Sequence, residues 1–254
     1  MRSILVVLVL GAALLIRPGA AWSVEATLDA YYWSYEEFVA DDPDFVDEVS
    51  DPVFVSLGLR NWETWLDTLR ILYTVEASRG DVEYTGSGTL DKDYYKFRSE
   101  VYGAYRIGDV APFIGIGYRW LYDDGGGQIT STGHFSYDRQ SQYVYVPIGA
   151  IYQVTNDLRI KGQYNLLLYG IQTSFLSDIA GFSDIENDQN FGWGADITID
   201  YRLSPRYGVY TFFRYWDVDD SDPEVGTING VIAFQAFEPH NKTIEAGFGV
   251  SYRF

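Results

Sequence analysis

The sequence predicts an all-β fold: an antiparallel, up-and-down β-barrel that crosses a membrane, with ten strands expected and eight or twelve as the neighbouring counts. Three observations predict it. First, Thr243–Phe254 (TIEAGFGVSYRF) alternates without a slip, with Ile244, Ala246, Phe248, Val250, Tyr252 and Phe254 on one face of a strand. The other face carries Thr243, Glu245, Gly247, Gly249, Ser251 and Arg253. A terminal strand of this clarity suits a closed barrel, whose last strand must pair with its first. Second, the chain opens as a secretory signal: Met1-Arg2-Ser3 is basic, residues 4–16 are apolar, and small residues lead to an expected cleavage after Ala21. That apolar run is short for a membrane helix, and none longer follows. Third, the connections between predicted strands alternate in length, with short turns at one end and Asp-, Gly- and Ser-rich segments at the other.

The strands follow in order. Val24–Glu36 leads into an acidic segment, Glu37–Asp51, expected to be a loop. Pro52–Arg60 and Thr68–Tyr84 are joined through Asn61–Asp67, and Thr85–Lys92 precedes Asp93–Ile107. Gly108-Asp109-Val110 turns into Pro112–Tyr122, and Asp123–Ser141, with Gly125-Gly126-Gly127, is read as a flexible loop. Gln142–Gln153 turns at Thr155-Asn156-Asp157 into Leu158–Ile171, and Gln172–Asn190 leads to Phe191–Leu203. Ser204-Pro205-Arg206 turns into Tyr207–Val218, and Asp219–Lys242 precedes the closing strand. The first and ninth strands alternate poorly, because Tyr31, Trp33, Phe212 and Trp216 fall on the polar face. The domain division is a signal at 1–21 and a barrel at 22–254.

In a membrane barrel the polar alternate positions point into the lumen, because a charge facing lipid at the midplane costs about 2–4 kcal/mol. The expected lumen charges are Arg60, Arg70, Lys96, Arg98, Glu100, Arg119, Arg159, Lys161, Asp196, Asp200, Arg202, Arg214, Glu245 and Arg253, with Glu25, Asp29, Glu76 and Arg106 beside them. An eight-stranded barrel is nearly filled by side chains, and ten strands add little room. The expectation is therefore a narrow lumen of Arg–carboxylate pairs, with a narrow anion-preferring channel as the alternative.

Composition narrows the function. Aromatic residues make up 17% of the chain, 22 of them Tyr, as suits a membrane–water boundary. The net charge of −18 excludes nucleic acid as a partner. There is no Cys, so neither disulfides nor a lipoprotein lipid anchor is expected. Candidate chemistry is sparse. The two histidines, His134 and His240, fall in predicted loops, as do the acidic pairs Asp123-Asp124 and Asp219-Asp220. Ser136 near His134 is the nearest approach to a Ser–His couple. Two acidic clusters could meet Ca²⁺ or Mg²⁺ bridging to lipopolysaccharide phosphates: Asp217, Asp219, Asp220 and Asp222, and Asp41, Asp42, Asp44, Asp47 and Glu48. Neither has EF-hand spacing, and Gly125–Gly127 lacks the Lys-Ser/Thr of a phosphate loop. No cofactor, catalytic residue or resident metal is assigned.

Gly115-Ile116-Gly117-Tyr118-Arg119, Tyr137-Asp138-Arg139, Tyr145-Val146-Pro147-Ile148-Gly149 and Ser251-Tyr252-Arg253-Phe254 resemble porin-like outer-membrane β-barrel proteins of Gram-negative bacteria. The resemblance implies Sec-type export, an outer-membrane location and recognition by the barrel-assembly machinery. In such proteins the assembly signal ends in Phe, and here it would comprise Phe248, Val250, Tyr252 and Phe254. The resemblance carries no catalytic residues. The ten-strand count also invites comparison with omptins, whose Asp pair and His–Asp pair sit at the barrel rim. Here neither histidine lies in a strand-top His-x-Asp context. The expected function is a non-enzymatic, porin-like or scaffold barrel, the alternatives being an omptin-like or lipid-modifying hydrolase and an adhesin or ligand-binding barrel with acidic outer loops.

Overall fold

A computed structural model describes residues 24–39, 42–64 and 68–254. The signal segment 1–21 lies outside the described residues, as does Asp41 of the acidic cluster. The chain folds into β1 (Val24–Val39), β2 (Asp42–Ser50), β3 (Phe54–Thr64), β4 (Leu69–Thr85), β5 (Thr89–Tyr105), β6 (Val110–Asp124) and β7 (Arg139–Gln153). These are followed by β8 (Leu158–Ser174), β9 (Ile185–Asp188), β10 (Gly192–Arg202), β11 (Tyr207–Val218), β12 (Glu224–Ile228), β13 (Ile232–Ala236) and β14 (His240–Arg253). One 3₁₀ turn, Leu176–Asp178, interrupts the strands.

Twelve of these segments form one sheet that closes on itself as an antiparallel barrel of ten wall positions. Two positions are each built from two collinear pieces. β2 and β3 both run between β1 and β4, and β9 and β10 both pair with β8. Closure is made by β1 against β14, in register from Glu25↔Arg253 to Phe38↔His240. The Phe254 amide extends the seam by donating to the Val24 carbonyl at 3.1 Å. Closure leaves the membrane-spanning strands paired on both sides, as a strand protein in lipid requires, and among the described residues the short β9 is paired on one side, with β8.

The expected acidic loop Glu37–Asp51 is instead mostly strand. β1 runs on to Val39, and β2 pairs with it through Ser34↔Val49, Tyr35↔Glu48 and Glu36↔Asp47. Its alternation was hidden by acids on both faces. Val46, Glu48 and Ser50 are buried, while Phe45 is exposed. The expected loop Thr85–Lys92 likewise shrinks to residues 86–88. The connections that remain long are 125–138, 175–184 and the one carrying the β12–β13 hairpin. That hairpin turns at Asn229 (φ 52°) and Gly230 (φ 69°), the left-handed pair that a two-residue hairpin turn favours.

The wall is taller than a bilayer needs. A strand of 17 residues, the length of β4, β5 and β8, spans about 56 Å, or roughly 40 Å along the axis after barrel tilt. The apolar band of such a wall need be only about 25 Å. Its outward face carries Leu57, Leu59, Ile114, Ile116, Leu166, Leu168, Ile197, Phe248 and Val250, all exposed. The remaining height lies toward the end opposite the short turns, where β1, β2 and β4–β7 rise together.

Candidate functional site

The inward face explains the two strands that alternated poorly. Tyr31, Trp33, Phe212 and Trp216 point into the barrel, each at most 4% exposed. They join Phe54, Tyr94, Tyr143 and Leu121 in one cluster or against it. Trp33 lies 4.5 Å from Tyr94 and 5.3 Å from Phe54, and Trp216 lies edge-on to Tyr145 at 4.9 Å, measured between ring centroids. Room for such large rings inside a ten-strand wall comes from glycine. Trp216 pairs across the sheet with Gly194, Phe212 and Tyr31 with Gly247, and Tyr210 with Gly249. A Cβ on Gly80 would stand 2.5 Å from the Phe54 ring. Rings likewise occupy the space where a Cβ would stand at Gly194, filled by Trp216, and at Gly249, filled by Tyr210.

Charged residues interleave with the rings. Arg214 makes a two-pronged contact with Glu76 at 2.8 and 2.9 Å and reaches Glu245 at 3.1 Å. Lys96 donates to Glu245 from beneath the faces of Tyr31, Trp33 and Phe54. Arg98 binds Glu100 at 2.6 Å and also Asp196, while Gln163 donates to Glu100 at 2.8 Å. Nearer the short turns, Arg60 bridges Glu25 and Asp200, each at 2.7 Å, and Arg159 reaches Asp200 at 3.3 Å. Arg253 joins Glu25 from the closing strand. Arg119 lies over Trp216, and Lys161 donates to Tyr102 at 3.2 Å. Arg70 is partly buried without a partner for its Nε, and Arg202 is exposed at the short-turn rim. The cavity among these charges holds about 90 Å³, space for about three waters.

Above the aromatic layer, at the end with the long connections, the barrel opens into a cup of about 730 Å³. Phe45, Tyr84, Phe135, Tyr137 and Phe237 contribute its aromatic surface. Its floor holds two cations among carboxylates. Lys92 Nζ donates to Glu48 at 2.7 Å and Asp123 at 2.6 Å, with the Tyr84 ring 4.4 Å away. Arg139 donates to Glu37 and to Glu238, the latter at 2.5 Å, and Tyr35 donates to the same two carboxylates. Burial and the neighbouring Glu37 charge push the Glu238 carboxyl up to about 7, against the pull of Arg139.

The wall is also the frame of several solved structures. The outer membrane protease OmpT from Escherichia coli superposes with a TM-score of 0.54 at 10% identity, over 91% of this chain and 97% of that one. The fold is that of outer-membrane β-barrels. Neisserial surface protein A aligns at a TM-score of 0.39 and 12% identity, covering 91% of this chain and 97% of its own. Ail of Yersinia pestis aligns at 0.38 and 8%, covering 91% and 98%. No protein-family model matches the sequence, and no curated protein is significantly similar to it.

The candidate catalytic groups of the sequence do not converge in the lumen. Asp123 faces the cup floor, whereas its neighbour Asp124 lies on the opposite face of β6 and is only partly buried. His134 contacts Thr132 at 2.9 Å, and no Ser136–His134 hydrogen bond forms among the described residues. His240 does meet a carboxylate, Asp217, at 2.6 Å, but in register both side chains project outward from the wall. Asp217, His240 and Asp219 together present three ligand atoms within 4.8 Å of one another; Asp220 and Asp222 are not in that group. Phe248, Val250 and Phe254, of the expected assembly signal, are exposed on the outward face, with Tyr252 partly covered there.

Proposed function

We propose that this chain is a non-enzymatic outer-membrane barrel that closes its own lumen and binds a small molecule in its outward cup at the cell surface. One observation carries the reading: a continuous layer of buried rings, Trp33, Phe54, Tyr94 and Tyr143 among them, lies directly beneath a 730 Å³ cup. A cup of that size, with aromatic side chains on its wall and convergent charged groups at its floor, has the make-up of a ligand site. Export and outer-membrane insertion are supported by the signal-like start, the outward apolar band and the closed wall. A porin-like role is disfavoured by a lumen whose cavity is about 90 Å³ and whose charges are largely paired. A hydrolase at the mouth is disfavoured because the His240–Asp217 couple faces away from the cup.

An adhesive role has an observation of its own. Val225, Val231 and Ile232 of the β12–β13 hairpin are all more than half exposed, an apolar edge suited to contact with another surface. Ligand binding separates the two readings, and planar bilayers test the closed lumen that both share. The purified barrel is expected to insert without conductance steps, and a regular series of discrete steps would overturn the closed lumen.

A further inference from the structure

Resting on the reading of the cup as a ligand site, we propose that its ligand is a small amphipathic ammonium: one primary or secondary amine on an apolar or aromatic body. The charge balance of the floor points there. Four buried carboxyl groups, Glu37, Glu48, Asp123 and Glu238, share two cations, Lys92 and Arg139, so the floor holds more acceptor oxygens than its own donors fill. Buried carboxylates in excess of their counter-charges either take up protons or are held charged by a further cation, which an ammonium guest supplies.

A second observation places the deficit. Asp123 is 3% exposed, and its Oδ2 is taken by Lys92 while its Oδ1 has no hydrogen-bond partner among the described residues. That oxygen is buried just beneath the cup surface on a residue that lines it, so a small turn of the Asp123 carboxyl would offer it to a donor entering the cup. The mode of holding is already displayed by the protein itself. Lys92 Nζ is a primary ammonium gripped by two carboxylates with a tyrosine face 4.4 Å away. A guest amine would repeat that arrangement one layer higher, with its body against Phe45, Phe135 or Phe237, which are 43%, 62% and 46% exposed. A guest carboxylate would bring further acceptor oxygens to a floor already short of donors and be refused.

The test is calorimetry on the full barrel in nanodiscs at neutral pH with three probes of one shape: 2-phenylethylammonium, 2-phenylethanol and 3-phenylpropionate. The ammonium is expected to bind about tenfold or more tightly than the alcohol, with the carboxylate weakest, as befits a charge-assisted hydrogen bond. Asp123→Asn is expected to remove that preference for the ammonium. Because Asp123 also holds Lys92, Phe135→Ala serves as a second variant: it should weaken 2-phenylethylammonium several-fold and leave heat-modifiable gel migration unchanged. Equal binding of alcohol and ammonium, preference for the carboxylate, or no ammonium binding overturns the proposal. Displacement of the ammonium by stoichiometric Ca²⁺ would also overturn it, making the cup an inorganic cation site. These outcomes stand apart from the bilayer experiment, since conductance steps would overturn the closed lumen whichever probe binds.

Discussion

At the scale of single residues, Glu238 shows how the cup floor responds to pH. It shares Arg139 with Glu37, accepts from the neutral Tyr35 hydroxyl at 3.1 Å, and sits within reach of the charges of Glu37 and Arg139. Burial disfavours its charged form, and the Glu37 charge on the same guanidinium adds to that against the pull of Arg139, so Glu238 rises from its ordinary 4.5 to about 7. The sign follows from linkage. A carboxyl raised in the fold contributes stability in full below about 4.5 and loses it as pH climbs through about 7. Carboxylate NMR on the labelled barrel should show one glutamate with a midpoint near 7, lowered by Glu37→Gln. Glu238→Gln should flatten the fall in melting temperature between pH 5 and pH 8. A midpoint near 4.5 in the unaltered protein would remove the basis for both.

The closing strand carries the matter at the scale of elements. β14 pairs along most of its length with both β11 and β1, so the last hydrogen bonds of the wall are made by its final residues. Phe254 adds a ring against Tyr252 at 5.2 Å and a hydrogen bond from its amide N–H to the Val24 carbonyl. Deleting Phe254, or replacing it with Asp, should lower outer-membrane levels several-fold and raise periplasmic degradation, measured by fractionation and immunoblot. Wild-type levels of both variants would detach the strand from assembly. β2 teaches a different lesson. Its run of acids looked like a solvated loop, yet its backbone pairs with β1 and β4 because the wall extends beyond the height a bilayer needs. Above the lipid an outward carboxylate costs little, so hydropathy no longer marks the strand there.

For the whole molecule, the rings act as a plug assembled from the wall itself. Trp33 and Trp216 are each at most 1% exposed, and they come from β1 and β11, the two strands flanking β14. Replacing both by Ala should leave a channel lined by the Arg and Lys of the layer below, turning a silent barrel into one with small, anion-preferring steps. Continued silence from a correctly folded double variant would place the barrier elsewhere in the lumen.

Alternation, turn chemistry and the two chain ends were enough to derive ten antiparallel wall positions and the residues lining their inner face, because period two is a local property of each strand. The inward placement of Lys96, Arg98, Arg214 and Glu245 was legible for the same reason. Their partners were not: Arg98 meets Asp196, and Arg214 meets Glu76, only because closure brings distant strands across the lumen. Tyr31, Trp33, Phe212 and Trp216 looked like errors of pattern when each strand was read alone. Cross-strand register puts glycine opposite Tyr31, Phe212 and Trp216, making the inner wall a place for rings. The cup was invisible beforehand, since its floor joins Glu37, Glu48, Lys92, Asp123, Arg139 and Glu238 from five wall strands and one connection. Sequence alone determined the alternation of the strands it delimited, a matter of neighbouring residues; the strand nature of β2, and which side chains meet, were decided by the closed wall, whose curvature and register no single strand contains.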